Sequence, residues 1–125
     1  MLLDSNIIIY AAKPEHIGLR ELIAEKAPSV STISQIEVLG YHQLTPTEKQ
    51  GFEAFFSAST VLPVSDVVVG TAIKLRQSRK MSLGDSIVAG TALTYDLTLI
   101  TRNTKDFKWI AELRLFNPFD DQESQ

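Results

Sequence analysis

Four acidic residues lie in small or apolar sequence contexts where an acid is not expected. They are Asp4, Glu37, Asp85 and Asp106. Carboxylates that converge from distant parts of a chain repel each other, so convergence requires a cation or a bound proton. A site rich in carboxylates and poor in His and Cys suits Mg²⁺ or Mn²⁺ and not Zn²⁺. Such ions most often serve phosphate chemistry.

Length and composition bound the kinds of protein that this chain can be. Its 125 residues correspond to one ordinary domain, so we expect a single domain over 1–125 whose acidic tail, about 120–125, is disordered. The absence of Cys excludes thiol catalysis and a disulfide scaffold. No apolar run is long enough to span a membrane, and the N-terminus lacks the pattern of a signal peptide. We therefore expect a cytoplasmic protein with no membrane partner.

The net charge of −3 gives no support for polyanion binding by the chain as a whole. Binding to nucleic acid must then depend on a local basic patch, or on a metal that inverts the local field. Such a patch would gather cations from two segments of the sequence. A solvated helix end, where cations favour the helix dipole, is the alternative for the first segment. The residues that could contact phosphate are Arg79, Lys80, Arg102 and Lys105.

Short apolar runs alternate with helical patterns along the chain. Strands are predicted over 1–3, 29–32, 61–64 and 98–100, with a short fifth strand over 114–116. Helices are predicted at about 5–13, 15–26, 34–43, 65–79 and 82–94, and another begins at the capping box Thr45-Pro46-Thr47-Glu48. This alternation predicts an α/β fold with three α/β/α layers around a short central parallel sheet of four to five strands.

The acids fall near one edge of the predicted sheet. Asp4 ends the first strand, Glu37 follows the second by one short turn, and Asp85 heads a helix. Asp106 belongs to the polar loop after the fourth strand. In open parallel sheets, ligands bind beyond the carboxyl ends of the strands. The sequence therefore predicts a carboxylate site at this edge.

Each acid also has a purely structural explanation, which the sequence leaves open. Asp4 can cap the helix that follows it, an interaction worth about 1 kcal/mol. Asp85 completes a near capping box with Ser82, and Asp106 can cap a short segment after the loop. Glu37 borders an apolar stripe, and its alternative is an edge position that reaches solvent. Several aromatic residues are assigned to the core or an interface, and the two histidines receive no ligand role: Phe52, Phe55, Phe56, Trp109, His16 and His42.

Taken together, the motifs resemble those of PIN-domain ribonucleases, most closely the VapC-type toxins of bacterial type II toxin–antitoxin pairs. The resemblance covers nearly all of the chain, although it says little about the region from Gly40 to Phe56. The motifs are Leu3-Asp4-Ser5-Asn6, Ser31-Thr32-Ile33-Ser34 leading to Glu37, Leu83-Gly84-Asp85-Ser86-Ile87-Val88-Ala89, and Leu99-Ile100-Thr101-Arg102-Asn103-Thr104-Lys105-Asp106-Phe107.

The resemblance implies a PIN-like fold and a metal-dependent endoribonuclease that hydrolyses RNA phosphodiesters with metal-activated water. It implies that the four acids are the catalytic residues and bind Mg²⁺ or Mn²⁺. It also implies a homodimer and a cognate antitoxin that masks the site. The residues that would support the acids are Ser5, Asn6, Thr101 and Asn103.

Two other functions remain as alternatives. A phosphatase or a phosphoryl-transfer receiver also places an Asp after its first strand. A dehalogenase-like phosphatase needs a second Asp two residues later, where this chain has Asn6, and we find no convincing receiver pair. The second alternative is a non-catalytic PIN-like scaffold that binds RNA or a partner protein without metal.

Overall fold

The computed structural model describes residues 1–120, so most of the predicted disordered tail lies outside the described residues. Strands and helices alternate along this part of the chain. The strands are β1 (Leu2–Leu3), β2 (Val30–Ser31), β3 (Val61–Leu62), β4 (Leu99–Ile100) and β5 (Leu115–Phe116). The α-helices are α1 (Ser5–Ala11), α2 (Ile17–Lys26), α3 (Thr32–Leu39), α4 (Pro46–Ala58), α5 (Asp66–Ser78) and α6 (Leu83–Thr94). Short 3₁₀ helices span Pro14–His16 and Thr104–Asp106.

All strand pairs in the described chain are parallel, as the alternation predicts. β4 lies between β1 and β5, and β2 pairs with β3. The two parts join at Ser29, which forms a parallel bridge with Leu2. The Leu3 N–H donates to the Ser29 carbonyl at 3.0 Å, and the Ser29 N–H donates to the Met1 carbonyl at 2.8 Å. The strand order is therefore β3-β2-β1-β4-β5.

Helices cover both faces of the sheet, which confirms the predicted three-layer α/β/α fold. Neighbouring residues of a strand point to opposite faces, and Leu2 and Leu3 accordingly belong to different apolar clusters. One cluster contains Leu3 and Ile100 with residues of α1 to α4. The other contains Leu2 and Leu99 with the small residues of α6. Within residues 1–120, no helix combines the length and the apolar character that crossing a membrane requires.

Polar caps fix where several helices begin. The hydroxyl of Ser65 accepts from the Val68 N–H at 3.3 Å at the start of α5, and Ser82 accepts from the Asp85 N–H at 3.1 Å at the start of α6. The predicted capping box of Thr45 and Glu48 is present in both directions. These contacts are local in sequence, which is why the pattern predicts them.

Two helix starts differ from the prediction, and the helix predicted to reach residue 43 ends at Leu39. The helix predicted over 15–26 begins as a 3₁₀ turn, and α2 starts only at Ile17. The helix predicted from residue 34 begins at Thr32, because the hydroxyl of Ser31 caps it by accepting from the Ile33 N–H at 3.2 Å. α3 therefore follows β2 directly, without an intervening turn. On this helix the side chains of Ile36 and Glu37 are both exposed to solvent.

Candidate active site

The strand order defines a switch point between β1 and β4. The chain proceeds from β1 toward β2 and β3 on one side, and from β4 toward β5 on the other. A crevice opens beyond the carboxyl ends of two strands where the connections diverge in this way. Asp4 follows β1 and Thr101 follows β4. The predicted edge of the sheet is therefore also the edge where its topology opens a site.

Asp4 points into this crevice and is only 6% exposed. It occupies the N-cap position of α1, but its side chain makes no capping hydrogen bond. Instead, its Oδ2 accepts from the Thr101 hydroxyl at 2.9 Å. The Thr101 hydroxyl in turn accepts from the Asn103 N–H at 3.1 Å. The capping explanation thus fails for the Asp4 side chain, while Thr101 and Asn103 lie where supporting residues are expected.

Burial is the largest influence on Asp4 and raises the pKa of its carboxyl from 3.8 to about 6. The hydrogen bond from Thr101 lowers the pKa, whereas the charges of Asp85 and Glu37 raise it further. Asp85 and Glu37 come from other segments of the chain and repel the charge of Asp4 across the crevice. The first acid is therefore costly to ionise until a positive charge joins it.

Glu37 is held by a hydroxyl pair beneath it. Ser5 Oγ lies 2.7 Å from Glu37 Oε1 and 2.9 Å from Ser34 Oγ. A hydroxyl has one hydrogen and an ionised carboxylate can only accept, so Ser5 donates to Glu37 and accepts from Ser34. Ser34 is fully buried and Ser5 nearly so. This chain of contacts directs an otherwise exposed carboxylate toward the start of α1.

Gly84 lets Glu37 approach the head of α6. A Cβ atom at this position would lie 2.5 Å from Glu37 Oε2, closer than nonbonded atoms can approach. The absence of a side chain therefore admits the Glu37 carboxylate beside Asp85, the next residue. Contacts between α3 and α6 elsewhere are consistent with this approach.

Asp85 is the common neighbour of the other acids. It lies half-buried in the first turn of α6. Burial is the main cause that raises the pKa of its carboxyl; a hydrogen bond with Ser82 lowers it, and the charges of Asp106 and Glu37 raise it. Since Asp85 also raises the pKa of Asp4, all four predicted acids interact through this one carboxylate.

Asp106 belongs to the group through its charge, which acts on Asp85. It is exposed and ends the 3₁₀ helix that follows β4. The indole N–H of Trp109 donates to its backbone carbonyl at 3.2 Å, which fixes the segment that carries the carboxylate. Asn6, in contrast, is exposed, and within residues 1–120 its side chain makes no hydrogen bond. The structure therefore does not place Asn6 in the contact network.

The donor set fits a divalent cation in type and charge, because it consists of oxygen ligands that repel each other. In the described chain, no three Asp, Glu, His or Cys side chains lie close enough together to hold a metal ion. The carboxylates are therefore farther apart than the ligands of a bound metal would be. The two buried or half-buried acids, Asp4 and Asp85, are supported by hydrogen bonds to Thr101 and Ser82. Glu37 and Asp106 are exposed.

The four cations predicted to contact phosphate fall into different surroundings. Arg79, Lys80 and Lys105 are exposed. Arg79 lies over the Trp109 ring, with its guanidinium carbon 5.7 Å from the centroid. Arg102 lies over Phe119, with its guanidinium carbon 4.5 Å from that ring centroid.

Three residues contribute to the site although sequence patterns did not single them out as site residues. They are Ser34, Gly84 and Trp109. Ser34 and Gly84 are small residues within otherwise recognisable motifs, and their roles follow only from their contacts with Glu37 or its partner Ser5. Trp109 was assigned to the core or an interface, and it does pack against one apolar cluster. Its hydrogen bond to Asp106 had no sequence signal.

Comparisons with known proteins identify the family to which this fold belongs. The model of the PIN domain family matches residues 1–113. A chain of the toxin–antitoxin complex from Klebsiella pneumoniae is 28% identical, with a TM-score of 0.75 over 94% of this chain and 96% of that one. A chain of VapBC-1 from nontypeable Haemophilus influenzae is 25% identical, with a TM-score of 0.74 over 93% and 96% of the two chains. None of the curated proteins matches the chain in sequence.

A third solved structure, DNA-bound VapBC from Salmonella typhimurium, is 24% identical and has a TM-score of 0.77, with coverage of 92% of this chain and 95% of that one. At this identity the likeness concerns the fold. Because the family model spans most of the sequence, the chain belongs to the PIN-domain family. The likeness to chains of toxin–antitoxin complexes, VapBC-1 among them, confirms the VapC-type resemblance that the motifs predicted.

Proposed function

We propose that this chain is a metal-dependent endoribonuclease and the toxin of a toxin–antitoxin pair. The observation that carries the proposal is a group of four mutually repelling carboxylates near the switch point of the sheet. Burial, and then the charges of Asp85 and Glu37, raise the pKa of Asp4, and burial and the charges of Asp106 and Glu37 raise the pKa of Asp85. Such a cluster is stable when a cation neutralises it. Family membership supports a nuclease, and the neighbouring toxin–antitoxin complexes support the toxin role.

In this proposal Asp4 and Asp85 hold Mg²⁺ or Mn²⁺ together with Glu37 and Asp106. The bound cation supplies Lewis-acid activation of water and neutralises charge that develops on the phosphate. The Thr101 hydroxyl orients Asp4, and the Ser5 hydroxyl orients Glu37. One carboxylate accepts the proton of the attacking water. Hydrolysis then proceeds without a covalent enzyme intermediate, because the nucleophile is water.

The direct test is cleavage of a total small-RNA pool by the purified chain in Mg²⁺, in Mn²⁺ and in EDTA. We expect discrete products that require metal and disappear in Asp4→Asn and in Asp85→Asn, because each change removes a ligand charge. Glu25→Gln is the matched control. Glu25 is exposed near the end of α2, and this end of the helix lies at the edge of the sheet opposite the site. Undiminished turnover in either Asn variant would remove that residue from the site.

The alternative is a PIN-like scaffold that binds RNA or protein without chemistry. The wide spacing of the carboxylates in the described chain favours it. Calorimetric titration of Mg²⁺ and Mn²⁺ separates the two functions. A folded chain that neither binds metal nor cleaves RNA would be a scaffold, whereas metal binding without cleavage of the pool would indicate a nuclease with a narrower substrate.

An apolar groove offers a surface for the antitoxin. It lies between α1, α2 and α4, has a volume of about 620 Å³ and contains none of the four acids. Its walls include Ile8, Ile23, Phe52 and Phe55. An exposed apolar groove of this kind fits the apolar face of a partner helix, and solved neighbours of the chain are toxin–antitoxin complexes. Co-purification with the product of the adjacent gene tests whether such a partner exists.

Exposed apolar residues also support a homodimer. α6 packs against both α3 and α5, and these three helices expose large apolar side chains. The fractions exposed are 63% for Ile36, 58% for Leu83, 52% for Ile73 and 42% for Val69. Exposed apolar surface of this kind marks a site of association. In the proposal a second copy covers these residues next to Glu37 and Gly84.

A further inference from the structure

Beside the segment that carries Asp106 lies Arg79, whose side chain has no polar partner within residues 1–120. Arg79 belongs to the connection between α5 and α6, six positions before Asp85 in the sequence. Its guanidinium carbon lies 5.7 Å from the centre of the Trp109 ring. The edge of the same indole donates its N–H to the Asp106 carbonyl at 3.2 Å. One aromatic side chain thus connects this cation to a predicted catalytic segment.

The guanidinium group of Arg79 keeps its hydrogen-bonding capacity. Within residues 1–120, its side chain takes part in no hydrogen bond and no ion pair, and the residue is exposed. A guanidinium has five N–H donors at its edge, and these match the oxygens of a phosphate in pairs. A cation at this distance from an aromatic ring is attracted to it without using its N–H donors. Trp109 therefore holds a phosphate-binding group in place without consuming its donors.

Three further cations are close in the sequence to Arg79, Asp106 and Trp109. Lys80 follows Arg79, Lys105 precedes Asp106, and Lys108 precedes Trp109, and all three lysines are exposed. In a chain with a net charge of −3, these cations border the acidic cluster on the side of Asp106. A polyanion that must approach four carboxylates gains from a positive border of this kind, since the border lowers the repulsion along its approach.

We propose that Arg79, held on the Trp109 ring, binds a backbone phosphate of the RNA strand adjacent to the phosphate that is cleaved. That this ligand is RNA, and not another polyanion, rests on the proposed function. An RNA strand whose scissile phosphate reaches the carboxylates must continue past the site on both sides. In this proposal Arg79 contacts the RNA on the side of Asp106. Arg79 is thus a substrate-binding residue, and Trp109 is the residue that positions it.

Trp109 is the only tryptophan of the chain, so its fluorescence reports directly on this place. We titrate a short single-stranded RNA of mixed sequence into the protein in EDTA, which withholds the metal and prevents metal-dependent cleavage. We expect a saturable change of Trp109 fluorescence in the unmodified chain, and in Arg79→Gln a change that saturates only at about tenfold higher RNA concentration. Anisotropy of the same RNA carrying a fluorophore gives the affinity independently.

We expect Arg79→Gln to weaken RNA binding about tenfold, as for the loss of a charge-assisted hydrogen bond. The slope of log affinity against log salt concentration should fall by about 0.7, as for the loss of one phosphate contact with a single strand. Lys26→Gln is the matched control and removes a charge of the same sign. Lys26 ends α2, which precedes β2, so it lies at the edge of the sheet opposite the site. We expect it to change neither quantity.

A second variant, Trp109→Leu, removes the ring but retains Arg79. We expect it to lose affinity for the labelled RNA as Arg79→Gln does, with circular dichroism to verify the fold. Equal affinity of Arg79→Gln and Lys26→Gln would overturn the inference, even if the chain cleaves RNA. Specific loss of binding in Arg79→Gln would support it, even if the chain cleaves nothing. No RNA binding by the unmodified chain would overturn it as well.

Discussion

At the scale of the residue, the protonation of Asp4 dominates the site. Its folded pKa of about 6 lies above its usual 3.8, mainly because of burial. The folded chain therefore retains this proton at a pH where the unfolded chain has lost it. The resulting stability is complete below about pH 4 and is lost as the pH rises through about 6.

We predict that, in EDTA, raising the pH from 4 to 7 lowers the contribution of Asp4 to the free energy of unfolding by on the order of 2–3 kcal/mol. Urea unfolding across this range measures the loss. In Asp4→Asn the loss should disappear, and this variant should be more stable than the unmodified chain at pH 7, since it carries no buried charge. Glu25→Gln should retain the full pH dependence; an Asp4→Asn variant that also retains it would contradict the prediction.

At the scale of the element, the distance between α3 and α6 determines where Glu37 can lie. Gly84 admits the Glu37 carboxylate, and further along α6 the Cβ of a residue at position 90 would lie 3.1 Å from the Val68 carbonyl of α5. The small residues of α6 thus allow close approach on two sides. Asp85 reaches the other acids because the helix that carries it packs this closely.

We predict that Gly84→Ala weakens Mg²⁺ binding while the fold persists. The added Cβ meets Glu37 Oε2, the end of a flexible side chain, so the carboxylate moves and the backbone need not. Gly70→Ala is the matched control, because nothing lies within 4 Å of its added atom. In the middle of α5 that change should stabilise the helix by about 0.5–1 kcal/mol. Calorimetric titration gives the affinities, and equal affinity in both variants would exclude this role of Gly84.

At the scale of the whole molecule, α3, α5 and α6 leave apolar side chains exposed next to the acidic site. Val69 and Ile73, two of the three large apolar residues exposed on α5, lie one turn apart on the same face. In the proposal, this surface binds a second copy of the chain, and the separate apolar groove between α1, α2 and α4 binds the antitoxin. The proposed dimer surface borders the site, so we expect association of two copies to affect access to the carboxylates.

We predict that Ile73→Lys converts a dimer into a monomer, because a buried lysine without a partner opposes association. Sedimentation velocity measures the change. Ile17→Lys introduces the same charge at a residue that is 63% exposed on α2, and we expect it to leave the dimer intact. A monomeric unmodified chain, or a dimeric Ile73→Lys variant, would contradict the proposed surface.

The sequence by itself determined the order of the elements, most helix starts and the identity of the acids. Caps such as Ser65 and Ser82 act over three residues, and strands show as short apolar runs, so both leave a local pattern. The start of α3 was missed because the hydroxyl of Ser31 could belong to a strand or cap a helix, and only the sheet pairing of Val30 and Ser31 fixes it.

Only the tertiary structure decided which acid is buried and what surrounds each one. The bond from Thr101 to Asp4 spans 97 positions, and that from Ser5 to Glu37 spans 32. Contacts over such separations depend on strand order and helix packing, which no local pattern encodes. Position alone favoured capping by Asp4, but the parallel pairing of β1 with β4 turned its carboxylate toward Thr101. The burial that results, and with it the raised pKa, is a property of the assembled sheet.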